Sequence, residues 1–151
     1  MFTVNVRVTV RGEEGAKNLL QDMDRRSKNF RPVFEKAETY LERANRNNFT
    51  QAGLPSGGWK PLDAQYGAWK ASRFPGMPIM VRSGRLFASL TSLNNAAKSV
   101  GLTKAEFGTT VEYAKFHQYG TNKMAKRQIV FTPPAFAKYI GIESATYIVK
   151  G

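Results

Sequence analysis

Three stretches between residues 47 and 121 decide the reading of this chain: NNFTQAGLPSGGWKPL (47–62), RSGRLFASL (82–90) and VEYAKFHQYGT (111–121). Each lays a turn signal against aromatic anchors. None supplies a nucleophile, a metal cage or a phosphate cradle. SGGW lacks the lysine-serine context of a P-loop and does not lead from a parallel strand into a helix. What the stretches describe is a loop punctuated by Gly53, Pro55, Gly57, Gly58, Pro61, Pro75, Gly76 and Pro78, running over about 50–81 and returning into sheet-like sequence. A loop of that length is usually functional or disordered. Trp59, Tyr66, Trp69 and Phe74 argue against plain disorder, and DAQYGAWKAS reads as a short helix over 63–72. The tryptophans fit two roles, capping the core or anchoring an arm that orders on a partner.

Working outward, residues 2–10 alternate Phe2, Val4, Val6, Val8 and Val10 with polar residues, the period of a half-buried strand. Ala16, Leu19, Leu20 and Met23 then take helical spacing. Phe30, Val33, Phe34, Ala37, Leu41 and Ala44 form a longer stripe, with Pro32 in a tolerated first-turn position, which predicts a helix at about 31–48. Past the loop, 86–93, 97–102 and 106–111 are short and rich in Ser, Thr and Val, and are expected to be strands in a meander or hairpins. EYAKFHQY (112–119) reads as a helix ended by Gly120. Residues 122–127 form a basic loop, 128–132 a last strand, and Pro133-Pro134 a stiff pair. The tail from 135 is apolar enough to pack as an extended piece or a short helix. The expectation from the residues is a single domain over 1–151, with the long loop set between the helix at 31–48 and a strand-rich second half.

Composition bounds function. With 42% hydrophobic and 12% aromatic residues, a chain of 151 residues can bury one core. No apolar run approaches the 18 or so residues of a membrane span, so no membrane partner is expected. Zero cysteines excludes disulfide and thiolate metal sites and fits synthesis in a reducing cytoplasm. The net charge of +12 is uneven: residues 1–55 carry +3 and residues 56–151 carry +9. The second part attracts nucleic acid or an acidic protein surface.

Catalysis is the weakest class. His117 is the sole histidine, so a His-rich metal site is impossible, and a histidine before a turn glycine more often bonds backbone than transfers protons. Asp63, Glu106, Glu112 and Glu143 lie in separate elements, with no acid-base spacing. No catalytic, metal or cofactor site is expected. Lys60, Lys70, Arg73, Arg82, Arg85, Lys123, Lys126 and Arg127 gather in or beside loops near two tryptophans, a pattern suited to a phosphate backbone rather than to base readout. It matches no recognised reader module.

In order and spacing, Phe49, Gly53, Pro55, Trp59, Pro61 and Leu62, then Ser83, Gly84, Leu86 and Ser89, then Tyr113, Ala114, His117, Gln118 and Gly120, resemble the virion-morphogenesis proteins of tailed bacteriophages. These are tail-completion or neck proteins at the head–tail junction, with related minor tail components. The resemblance implies an α+β fold, with a small antiparallel sheet, one long helix packed across it and a long extended arm. It implies a non-enzymatic part of the virion, made in the host cytoplasm. It also implies copies of the chain in a hexameric or dodecameric ring around the DNA channel, with a subunit that stays monomeric until it meets its template. Its neighbours would be connector, tail-terminator or tail-tube proteins, and packaged double-stranded DNA would pass without sequence preference. On that reading Trp59, Trp69 and Phe74 anchor contacts between subunits. Lys60, Arg82, Arg85, Lys123, Lys126 and Arg127 face DNA or an acidic partner. Replacing Trp59 by Ala should then leave the monomer folded. The alternative is a sequence-independent nucleic-acid-binding protein acting outside any virion.

Overall fold

The structure, a computed structural model, describes residues 12–92 and 97–151. The strand expected at 2–10 lies outside them. The described chain runs α1 (Glu13–Ser27), α2 (Arg31–Thr50), a 3-10 turn (Leu54–Ser56), α3 (Ala64–Arg73), α4 (Arg85–Thr91), β1 (Ala97–Val100), β2 (Ala105–Gly108), α5 (Ala114–Tyr119) and α6 (Phe136–Lys150). It is α+β. Where one long helix was expected, three helices of 15 to 20 residues stand together: α1, α2 and α6.

The tail is therefore a full helix rather than a short or extended piece. α6 packs against α1 and α2. Tyr40 of α2 stacks on Tyr139 at 4.6 Å between ring centroids, and Lys36 pairs with Glu143 at 2.6 Å. α1 places Glu13 and Glu14 in its first turn and Arg25 and Arg26 in its last, which complements the helix dipole. Arg26 also reaches across to the carbonyl of Ile148 at 2.9 Å, so the last turns of α1 and α6 are tied.

The expected strand at 86–93 is a helix through Thr91, and Ser92 leaves it extended. Leu86 and Leu90 fall four apart and bury together, and Ser89 and Thr91 turn their hydroxyls back onto the carbonyls of Leu86 and Phe87. Those hydroxyls satisfy the helix's own backbone, so Ser and Thr content misleads about strand preference here. β1 and β2 pair antiparallel, Lys98 opposite Phe107 and Ser99 opposite Glu106, closed by the Gly101 N–H to the Lys104 carbonyl at 2.8 Å. Polar ties bring this hairpin to α2: the Phe30 N–H donates to the Leu102 carbonyl at 2.7 Å, and Lys98 pairs with buried Glu38 at 2.9 Å.

The core is assembled from Phe49, Trp59, Leu86, Leu90, Val111, Ala114 and Ile129, one or two residues from each passing element. Its centre is the segment at 128–131, which the sequence reading makes a strand. It forms no strand, and side chains stand where a strand partner would. The Oε1 atom of Gln118 accepts the N–H groups of Ile129 and Val130, each at 2.9 Å. The Oδ1 atom of Asn45 accepts the Phe131 N–H at 2.8 Å, and Asn48 donates to the Gln128 carbonyl at 2.9 Å. Ile129 is 0% exposed, so its backbone could find no water. A buried backbone must be paired, and three amide side chains supply the partners.

Candidate functional site

The two tryptophans of the loop part company. Trp59 is 8% exposed and stands edge-on to Phe49 at 5.2 Å. Its indole N–H donates to the Gln128 carbonyl at 2.9 Å, the same oxygen that Asn48 reaches. Gly53 makes the space. It takes φ of +79°, and a Cβ there would lie 2.2 Å from the indole ring. Trp59 is thus core of its own subunit, which corrects its assignment as an inter-subunit anchor. The physical reason is the carbonyl of Gln128, a buried acceptor that matches the indole donor.

Trp69 is 42% exposed. It lies on α3, whose first turn is capped by Asp63 accepting from the N–H groups of Gln65 and Tyr66. Tyr66 stacks on Trp69 at 5.5 Å, and Phe74 meets it edge-on at 5.8 Å. Trp69 and Phe74, two of the three expected anchors, therefore share one aromatic cluster, and exposed Met77 follows close in sequence.

The basic residues divide in the same way. Arg127 is 6% exposed, and its guanidinium donates to the carbonyls of Lys60 at 2.9 Å and Pro61 at 2.8 Å. It staples the end of the loop to the core, a correction to its reading as a DNA contact. Lys70 is buried too, its ammonium given to the carbonyls of Met77 and Pro78, and burial lowers its pKa. Lys60, Arg82, Arg85, Lys123 and Lys126 are exposed. None of these five makes an ion pair among the described residues.

Between α3 and α5 opens a cleft of about 660 Å³, within the range of ligand sites. Leu62, Met80, Val81 and Leu86 give it aliphatic walls, and Arg82 and Lys123 stand on its lining. Lys60, Arg85 and Lys126 lie outside that lining, so the structure brings three of the six expected charge contacts to the cleft, Arg82, Lys123 and Arg127, the last of them already bonded to backbone carbonyls. Met80 takes φ of +68°, which strains a side-chain-bearing residue by about 1–2 kcal/mol. Across the cleft, Gly120 ends α5 at φ of +77° and lets the next loop fold back, where a Cβ would sit 2.9 Å from the Lys126 nitrogen. A short bridge between Thr121 and Met124 completes the turn.

His117 also lines the cleft. Its backbone carbonyl accepts the Arg127 N–H at 2.7 Å, while Nδ1 is buried with no hydrogen-bond partner among the described residues. Burial, then the neighbouring Arg127 charge, holds its pKa below the ordinary value. The imidazole is therefore neutral near pH 7.

The sequence reading missed the amide lattice of Asn45, Asn48 and Gln118. The spacing of Asn45 and Asn48 put both on the apolar face of α2, the available signal for a buried polar role.

The pattern that defines the phage virion morphogenesis family matches residues 12–145. This chain belongs to that family. The match runs from α1 through most of α6 and takes in the amide lattice, the aromatic cluster on α3 and the cleft. No curated protein and no solved structure gives a match. As a member of a virion morphogenesis family, the chain has a structural or assembly role in a phage particle. No helix among the described residues is long and apolar enough to cross a membrane.

Proposed function

We propose that this virion morphogenesis protein is a non-catalytic part of the neck or tail-completion ring at the head–tail junction, where copies of the chain surround the DNA channel. The family match over residues 12–145 carries this reading. The division of the loop residues supports it. A ring subunit needs a rigid body, and the core around Trp59 and Ile129 supplies one. It also needs apolar anchors left over for neighbours, and the Tyr66–Trp69–Phe74 cluster supplies those. Exposed Lys60, Arg85 and Lys126 belong to the strongly positive part of the chain, whose field lets the phosphate backbone slide without sequence preference. Neighbouring connector, tail-terminator or tail-tube proteins are the remaining partners.

Deleting the gene in its parent phage and imaging the lysate by negative-stain electron microscopy tests the proposal. DNA-filled heads beside unattached or overlong tails are expected. Intact infectious particles would contradict it and bring forward the alternative, a free nucleic-acid binder, whose isolated monomer would hold DNA tightly with a steep salt slope.

A further inference from the structure

The cleft between α3 and α5 has wall chemistry that the fold itself does not consume. Its floor is aliphatic, from Leu62, Met80, Val81 and Leu86. Exposed Arg82 and Lys123 stand on its lining without an ion-pair partner among the described residues. The one carboxylate in the lining, Asp63, already accepts two backbone N–H groups of α3. Lys70 and Arg127, the other cations there, are spent on backbone carbonyls. An apolar trough is left, with two positive charges free of ion pairs and one carboxylate that holds the start of α3 through one of its oxygens.

We infer that this cleft docks an extended acidic–apolar peptide segment of a neighbouring virion protein, with Asp or Glu alternating with Leu, Ile or Phe. The apolar side chains fill the aliphatic floor, and the carboxylates meet Arg82 and Lys123. The inference rests on the proposed place of the chain in the virion joint, and names the chemistry of its partner. An extended segment turns alternate side chains to opposite sides, so one row enters the floor while the other reaches the rim. Met80 and Met124, both in the lining, are unbranched and adapt to such side chains.

Charge alone also suits nucleic acid, and the floor decides between the two. Single strands bind by stacking bases on aromatic faces. The cleft's two tyrosines each have an aromatic neighbour, Tyr66 stacked on Trp69 and Tyr113 edge-on to His117 at 6.0 Å, and the aliphatic residues between them give bases no ring to stack on. A duplex presents a convex backbone and touches the rim alone, leaving the aliphatic floor unfilled.

The test titrates the full chain, near physiological salt, into a short fluorescein-labelled peptide alternating Asp or Glu with Leu or Phe, read by anisotropy. Saturable binding is expected. It should weaken at least about tenfold when Arg82→Glu and Lys123→Glu are combined, and also when Ser replaces the peptide's apolar residues. Lys138→Glu, on α6 and outside the cleft lining, should change it less than about twofold, since a distant exposed charge is screened. Equal affinity for the native chain and the double variant would overturn the inference. Displacement of the peptide by excess single- or double-stranded DNA would do the same, and would mark the rim as a nucleic-acid surface. A phage arm separates this from the proposed function. Where deletion leaves heads and tails unjoined but the double variant restores infectious particles, the docking inference falls and the place in the virion stands. Where deletion itself leaves intact particles, the place in the virion fails and the partner assignment falls with it.

Discussion

Trp59 and Trp69 stand ten positions apart in one loop-rich stretch, yet they live in different solvents. Trp59 is enclosed by Phe49 and Gly53 and bound to the Gln128 carbonyl. Trp69 rests on a helix surface with aromatic neighbours and no hydrogen bond of its own indole among the described residues. The difference is not in the residue but in what faces it. A glycine with positive φ clears a space for one ring, and a buried carbonyl holds its N–H. Neither exists for the other. The first tryptophan belongs to stability, and the second stays on the surface.

That contrast can be broken by mutation, and the largest effect is expected at its buried end. Trp59→Ala should lower the unfolding free energy by about 3–5 kcal/mol in denaturant titrations, because it leaves a cavity and takes one donor from the Gln128 carbonyl, which keeps Asn48. Gly53→Ala attacks the same contact from the other side. A Cβ 2.2 Å from the indole, on a left-handed residue, should cost about 3 kcal/mol and shift the tryptophan fluorescence. Arg127→Met, which frees the carbonyls of Lys60 and Pro61, should cost about 2 kcal/mol and speed proteolysis in the loop. Trp69→Ala should change stability by less than about 0.5 kcal/mol, as surface substitutions do.

The smallest effect sharpens the contrast at the cleft wall. The folded-state pKa of His117 is depressed by burial and then by Arg127. Below the ordinary value near 6.5 the unfolded chain binds the proton more readily than the folded one. Its contribution to stability is therefore complete above about pH 6.5 and is lost as pH falls toward the folded pKa. His117→Asn should flatten that part of the stability profile relative to the native chain, measured by thermal unfolding between pH 7 and 5.

Helices with a regular apolar stripe were legible in the sequence. The stripe from Phe30 to Ala44 with Pro32 gave α2, which carries its periodicity and its start signal locally, and DAQYGAWKAS gave α3 as a short helix interrupting the loop. α4 was not, since its Ser and Thr hydroxyls bond within the helix and imitate strand composition. The segment at 128–131, read as a strand, forms none, because its backbone partners are amide side chains 11 to 86 positions away in sequence. Of the candidate site, the exposed cluster of Trp69 and Phe74 and the rim cations Arg82 and Lys123 were visible as residue types. Trp59 and Arg127 looked the same in sequence, and only tertiary placement against backbone carbonyls commits them to the core. Family membership came from the order of the motifs, several of whose residues, Phe49, Gly53, Trp59 and Gln118, turn out to build one core.

The most direct measurement compares Trp69→Ala with Trp59→Ala in parallel, following thermal unfolding of each purified chain and its incorporation into particles of the gene-deleted phage. The account predicts that the Trp69 variant melts with the native chain but fails to enter particles, while the Trp59 variant melts far lower. A Trp69 variant that enters particles normally, or a Trp59 variant that melts with the native chain, would contradict the division of the loop into a core part and an assembly part.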